Sequence, residues 1–266
     1  MRQIFLFLVI VFSACKQTDQ SSVINSQVSP DGWEAVAFYD STGNVVLYNL
    51  LKPLSVDDDQ LYPLVLFLHG AGERGNDNKA QLVHIAPIFK SDSIREKYPS
   101  FVVFPQCPKD EFWAAMEEID GEWKPVSSGP VDPSLGRVMG VVDNMIDSYP
   151  IDTNRIYISG LSMGGFGTFD YLAREPKKFA AAIPICGGGD TAFAKNYAHV
   201  PMKIFHGADD QVVSPQLSRD VHQALLQAGA KEVEYVEFPG VGHDAWTPAY
   251  QYEGLLDWMY SQSKMK

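Results

Sequence analysis

Cysteine is scarce, with three in 266 residues, at positions 15, 107 and 186. That excludes the disulfide framework on which small exported scaffolds depend, and no Cys/His spacing matches a zinc site. Basic residues are outnumbered, 21 Lys and Arg against 33 Asp and Glu, for a formal net charge of −12. Phosphate recognition needs clustered Lys and Arg, so nucleic acid is excluded as a partner, and so is adsorption to an anionic membrane surface. The apolar run Ile4 to Phe12 is too short to span a bilayer. Internal repeats and a second linker are missing as well. What remains, 45% apolar and 20% charged residues, is the composition of an ordinary folded domain with a sizeable core.

The N-terminal run has its own reading. Arg2 precedes it and Ser13-Ala14-Cys15 follows, the n-region, h-region and small-residue pattern of an export signal. Its "FSAC" ending resembles a bacterial lipobox, which implies cleavage before Cys15 and acylation of that cysteine. Residues 1–14 are therefore read as a lipoprotein-type signal peptide and 15–30 as a flexible polar tether ending in Pro30. Residues 31–266 are read as one catalytic domain. The implied location is exported, on the periplasmic or outer-membrane side, with the N-terminal lipid as the only membrane contact. Cys107 and Cys186 follow different strands and are expected as free, buried thiols.

Beyond the tether, "WEAVAFYD" and "NVVLYNLLKP" read as two strands joined by the turn "STGN". "YPLVLFLHG" is a continuous apolar run, as in a strand covered on both faces. A helix over 79–90 and the strand "SFVVFPQ" follow. After an excursion from Cys107 to Pro130, Asp132 and Pro133 open a helix whose Leu135, Val138, Val142 and Met145 recur at helical spacing. Then come the strand "RIYISG", a helix from Met163, the strands "FAAAIPICGG" and "PMKIFHG", a helix over 215–228, the strand "VEYVEFPG" and a helix near 250–262. This alternation predicts an α/β fold, a mostly parallel central sheet with helices on both faces. Chemistry in such sheets gathers beyond the carboxyl ends of the strands.

Gly160-Leu161-Ser162-Met163-Gly164 falls between a strand and a helix, where G-x-S-x-G forms a nucleophile elbow. Its serine projects above the sheet, and the glycines are needed where neighbouring elements crowd. A serine nucleophile needs a base and an orienting acid, here in the order Ser, Asp or Glu, His. Of six histidines, His199, His206, His222 and His243 lie downstream of Ser162. His222 falls in a predicted helix, His199 in a connection and His206 inside a strand end. His243, in the glycine-rich "PGVGHDAW", is the expected general base. Asp209 and Asp210 in "HGADDQVV" are both open as the acid, since adjacent residues in an extended turn point apart. The oxyanion donors expected are the N–H groups of Met163 and of Ala71 in "LHGAGERG". Glu73 and Arg74 beside that turn are given a structural role. No metal and no cofactor is called for.

With "LFLHGAGERG", "PQCP" followed by Trp113, "GLSMGGFGT", "HGADDQVV" and "GVGHDAW", the sequence resembles the α/β-hydrolase superfamily. More narrowly it resembles the bacterial predicted-peptidase or carboxylesterase-type families, akin to polyhydroxybutyrate depolymerases and feruloyl and acetylxylan esterases. The resemblance implies a G-x-x-D-x-x-V acid turn, which selects Asp210, and places Trp113 in the lining of the substrate cleft. The excursion bearing Phe112, Trp113, Met116 and Trp123 reads as a lid or substrate platform, or as packing over the sheet edge. The implied activity is hydrolysis of carboxylic esters, with acetyl or feruloyl groups on plant polysaccharide as candidate substrates. A peptidase of short peptides shares the same triad, and a catalytically idle carbohydrate-binding lipoprotein is the rival of another class.

Overall fold

The computed structural model describes residues 22–28, 32–57, 59–119 and 122–264. The signal segment 1–14 and Cys15 lie outside the described residues. In chain order the strands are β1 (Ser22–Val28), β2 (Trp33–Tyr39), β3 (Val45–Leu51), β4 (Tyr62–Leu68), β5 (Phe101–Gln106), β6 (Met116–Ile119), β7 (Glu122–Pro125), β8 (Ile151–Leu161), β9 (Ala181–Ile185), β10 (Met202–Gly207) and β11 (Val233–Phe238). The helices are α1 (Ala86–Lys90), α2 (Asp92–Lys97), α3 (Pro133–Ser148), α4 (Met163–Arg174), α5 (Ala194–Tyr197), α6 (Pro215–Gln227), α7 (Trp246–Tyr250) and α8 (Leu255–Ser261).

Nine strands form one sheet in the order β1-β2-β3-β5-β4-β8-β9-β10-β11. From β5 to β11 all neighbours are parallel, and β1, β2 and β3 add an antiparallel edge. The mostly parallel sheet predicted above is therefore present. Alternation along β4 explains how it is covered. Leu64, Leu66 and Leu68 pack with Leu135, Val138, Phe169 and Val221 from α3, α4 and α6. Val65 and Phe67 face the other way, onto Phe89, Tyr250 and Met259 from α1, α7 and α8. A period of two splits one apolar run between two cores, which is why the run is continuous.

Three sequence expectations need correction. The tether assigned to 15–30 includes a strand: β1 pairs antiparallel with β2 through partners such as Ile24 and Ala37. The helix over 79–90 is instead a 3-10 turn (Ala80–Leu82) followed by the short α1, with Pro87 in its first turn. Pro87 has no N–H to donate back to the Val83 carbonyl, so helical bonding does not run on from the 3-10 turn into α1. The helix near 250–262 is broken into α7 and α8 at Gly254, whose φ of 73° is left-handed. α3 begins as expected, with the Asp132 carboxylate accepting from the N–H of Ser134.

Candidate active site

Ser162 stands between β8 and α4 with φ 53° and ψ −117°. A serine held there is strained by about 1–3 kcal/mol, so its surroundings must enforce it. Its N–H donates to the carbonyl of Ile185 at 2.8 Å. A Cβ on Gly160 would overlap the Gly164 carbonyl, and one on Gly164 would overlap the Leu68 carbonyl. The two glycines let α4 start hard against the ends of β8 and β4, and the serine is driven outward.

His243 reaches this serine from the loop after β11. Its Nε2 is 2.9 Å from Ser162 Oγ, and its Nδ1 is 2.7 Å from Asp210 Oδ2. Thus the structure brings together the three side chains singled out from sequence, from segments far apart in the chain. Of the two adjacent carboxylates, Asp210 is buried in this relay and Asp209 is exposed. Burial opposes the charge on Asp210. The hydrogen bonds from His243 and from the N–H groups of Val213 and Val212 outweigh it and hold the carboxyl below its usual range. A Cβ on Gly207 would overlap the Gly242 carbonyl, so a glycine is needed where the acid and histidine loops touch.

Cys186 lies beneath the relay, buried, with φ 50°. Its thiol donates to the carbonyl of His243 at 3.2 Å, and burial pushes its pKa up to about 12. Its sulfur and the Asp210 and His243 donor atoms all lie within 4.8 Å of one another, the one such group among the described residues. The donor set suits a metal poorly. The sulfur is held as a protonated thiol, and the carboxylate and imidazole are engaged with each other. Both cysteines are free and buried, as expected.

On the other side of Ser162 lies the turn after β4. Met163 is the first residue of α4 and Ala71 the first of a 3-10 turn (Ala71–Glu73), so neither N–H has an acceptor within its own helix or turn. This turn is anchored from below by His69, a residue the sequence reading passed over because it precedes the nucleophile. Its Nδ1–H donates to the Gly70 carbonyl at 2.6 Å, and its Nε2 accepts from the Cys107 N–H at 2.9 Å. Burial lowers its pKa to about 4, keeping the ring neutral.

Trp113 is not on the cleft wall, contrary to what the resemblance implies. It is fully buried, its indole N–H donates to the His69 carbonyl at 3.0 Å, and it packs against Gly167. Its neighbour Phe112 takes the exposed place. Arg74 lies over the Phe112 ring at 4.9 Å and donates to the carbonyls of Ala71 and Glu111. Glu73 pairs with His84 at 3.3 Å. Both residues hold neighbouring loops, as expected, and they do not pair with each other.

Phe112, Ala114, Met116, Met163 and Phe166 enclose an apolar pocket of about 180 Å³ that opens onto Ser162. Across the serine, Trp246 packs edge-on against His243 and is itself contacted by His84.

A family model described as phospholipase/carboxylesterase matches residues 55–252. A bifunctional acetylxylan esterase/xylanase of Neocallimastix patriciarum is 29% identical over 157 residues, 58% of this chain and 20% of that protein. A solved thermostable esterase superposes with a TM-score of 0.82 at 37% identity, over 88% of this chain and 64% of its own. The chain thus spans only part of each. A ferulic acid esterase from Anaeromyces mucronatus superposes with a TM-score of 0.58 over 92% of this chain and 90% of its own. At 16% identity that likeness shows the fold alone. The family match runs from before β4 to just past α7 and takes in the turn after β4, the elbow and the whole relay. The chain belongs to the phospholipase/carboxylesterase family of α/β-hydrolases, a family of carboxylic ester hydrolases.

Proposed function

We propose that the protein is an exported, lipid-anchored serine hydrolase that cleaves carboxylic esters through an acyl-enzyme. Ser162 Oγ attacks the ester carbonyl while His243 Nε2 takes its proton, and Asp210 orients and stabilises the resulting imidazolium. The N–H groups of Met163 and Ala71 hold the tetrahedral oxyanion. As the intermediate collapses, the carbon–alkoxy bond breaks and the proton passes from His243 to the departing alcohol. Water then repeats the sequence on the acyl-enzyme and frees the acid and Ser162.

The observation that carries this reading is the unbroken chain of 2.9 and 2.7 Å contacts from Ser162 through His243 to Asp210. It also weighs against an idle, carbohydrate-binding role, because no member of the relay is replaced. Acetyl or feruloyl groups on plant polysaccharide are the proposed natural esters. The acetyl candidate draws on the named activity of the Neocallimastix protein, and the feruloyl candidate on the sequence resemblance described above. Attachment through Cys15 rests on the signal-like segment before it.

Ser162→Ala tests the chemistry: hydrolysis of a p-nitrophenyl ester should vanish while the thermal melt is retained, and full residual turnover would end the assignment. Cys15→Ala tests the anchor, since it should release the protein from membranes. A variant that stays membrane-bound contradicts that part.

A further inference from the structure

The apolar side chains left in water gather mainly at one end of the fold. Among the described residues ten large ones are exposed, and six of them (Val45, Val83, Phe112, Ile119, Trp123 and Val212) lie at the carboxyl end of the parallel strands. Phe112 walls the pocket that opens onto Ser162, and Val212 follows Asp210 by two residues. Val83 adjoins His84, which touches Trp246 beside the catalytic ring. Ile119 and Trp123 sit near the tip of the β6–β7 hairpin, whose first residue, Met116, reaches the same pocket. Val45 opens β3 close to where Leu47 pairs with Gln106, the last residue of β5.

An apolar rim of this extent marks a surface for a partner, and the course of β1 identifies it. The first residue of β1, Ser22, pairs with Tyr39, and Tyr39 pairs with Val45, so β1 begins at the active-site end. Cys15 is seven residues before Ser22, at most about 25 Å of chain whatever its conformation. Across the sheet β1 stands five strands from β8, about 24 Å at the usual spacing. A lipid on Cys15 therefore draws the catalytic end towards the bilayer. The other four exposed side chains, Leu54, Val56, Leu61 and Leu226, stand at the amino end of the parallel strands, a strand length of about 20 Å further from the anchor.

We propose that the rim around the active site rests on the membrane that the Cys15 lipid enters, with Trp123 and Ile119 seated at headgroup level. This rests on the anchored ester-hydrolase reading above, and it adds a contact of the folded domain to the single lipid contact expected from sequence. The lipid is zwitterionic or neutral. A net charge of −12, with Glu117 and Glu118 exposed beside the rim, is repelled by an anionic surface. Tryptophan suits the position because its amphipathic ring settles between headgroups and acyl chains. An ester carried in the bilayer then meets Ser162 directly. A soluble polymer must come in from the medium, so vesicle-borne esters are the faster class.

The test uses the mature, acylated chain in phosphatidylcholine vesicles whose acyl chains carry bromine. Trp123, 66% exposed, should be quenched, and Trp123→Phe should lose most of that quenching. Trp123→Glu should lower hydrolysis of an ester dissolved in the vesicles about tenfold, the loss of one buried apolar side chain, while p-nitrophenyl acetate in water is hydrolysed as before. Leu61→Glu, at the far end, should change neither rate. Tryptophan emission that is unquenched, or quenched equally in Trp123→Phe, overturns the proposal, and so does an equal response to Leu61→Glu. Flotation with the vesicles and turnover of p-nitrophenyl acetate report the anchor and the hydrolase separately. A chain that floats and turns over but is unquenched overturns the contact alone, and one that does not float overturns anchor and contact together.

Discussion

Nε2 of His206 lies 3.2 Å from Asp210 Oδ2, the same oxygen that accepts the Nδ1–H of His243. Both side chains are fully buried, and that nitrogen also faces the Val213 carbonyl at 3.0 Å. Nε2 carries its hydrogen and donates it to that carbonyl, with the Asp210 carboxylate alongside at ion-pair distance. Burial lowers the pKa of His206, and Ser218 Oγ stands 2.8 Å from its Nδ1. With the Val212 and Val213 N–H groups on Oδ1 and the His243 Nδ1–H on Oδ2, the Asp210 carboxylate has three hydrogen-bond donors, and His206 ties down the Val213 end of the same turn.

His206 is therefore a positioning residue for the acid. A hydrogen bond to a neutral carbonyl contributes about 0.5–1.5 kcal/mol, so His206→Leu should lower kcat roughly 2- to 10-fold with KM held. His206→Gln, whose amide N–H reaches a similar point, should recover most of that loss. Equal kcat losses in both variants would show that the ring is there for packing alone.

His69 gives the protein an acid-sensitive fold. Its folded pKa of about 4 lies below the ordinary 6.5, so the unfolded chain takes up a proton that the native ring refuses. As pH falls from 6.5 towards 4, the wild type should lose up to about 3 kcal/mol on this account. His69→Asn removes the titrating group, and its stability should depend less steeply on pH over that window. Parallel denaturation profiles for the two proteins would contradict the assignment.

Two glycines separate crowding from chance. Gly164→Ala forces a methyl into the Leu68 carbonyl and should destabilise by about 3 kcal/mol or more. Gly72→Ala meets nothing within 4 Å and should stay within about 0.5 kcal/mol of wild type. Urea midpoints for both variants check the contrast.

Strain at the elbow is separately measurable. Ser162→Gly and Ser162→Ala both remove the hydroxyl, but only glycine adopts φ 53°, ψ −117° without penalty. The glycine variant should be the more stable of the two by roughly 1 kcal/mol. Equal stability would mean that the elbow is relaxed.

Much of the site was legible because its residues sit on motifs with local causes. Ser162 is announced by the glycines that let two strands and a helix meet, and His243 by a glycine-rich loop after the last strand. The choice between Asp209 and Asp210 needed more than local sequence, since it depends on which carboxylate the turn buries. Phe112 and Trp113 are neighbours at a bend, one exposed and one buried, and the sequence carries no mark of which would be which. His206 looked like a strand-end histidine because its partners, Asp210 and Ser218, return to it through a loop and a helix. β1 was missed because "SVINSQV" has little apolar alternation, and an edge strand paired on one side needs little.

The central claim is that His243, held by Asp210, makes the Ser162 hydroxyl nucleophilic. Reaction with a fluorophosphonate followed by peptide mass mapping tests it most directly. A single adduct on Ser162, lost in His243→Ala and in Ser162→Ala, is the predicted result. An unlabelled wild-type protein, or one labelled equally well without His243, would contradict it.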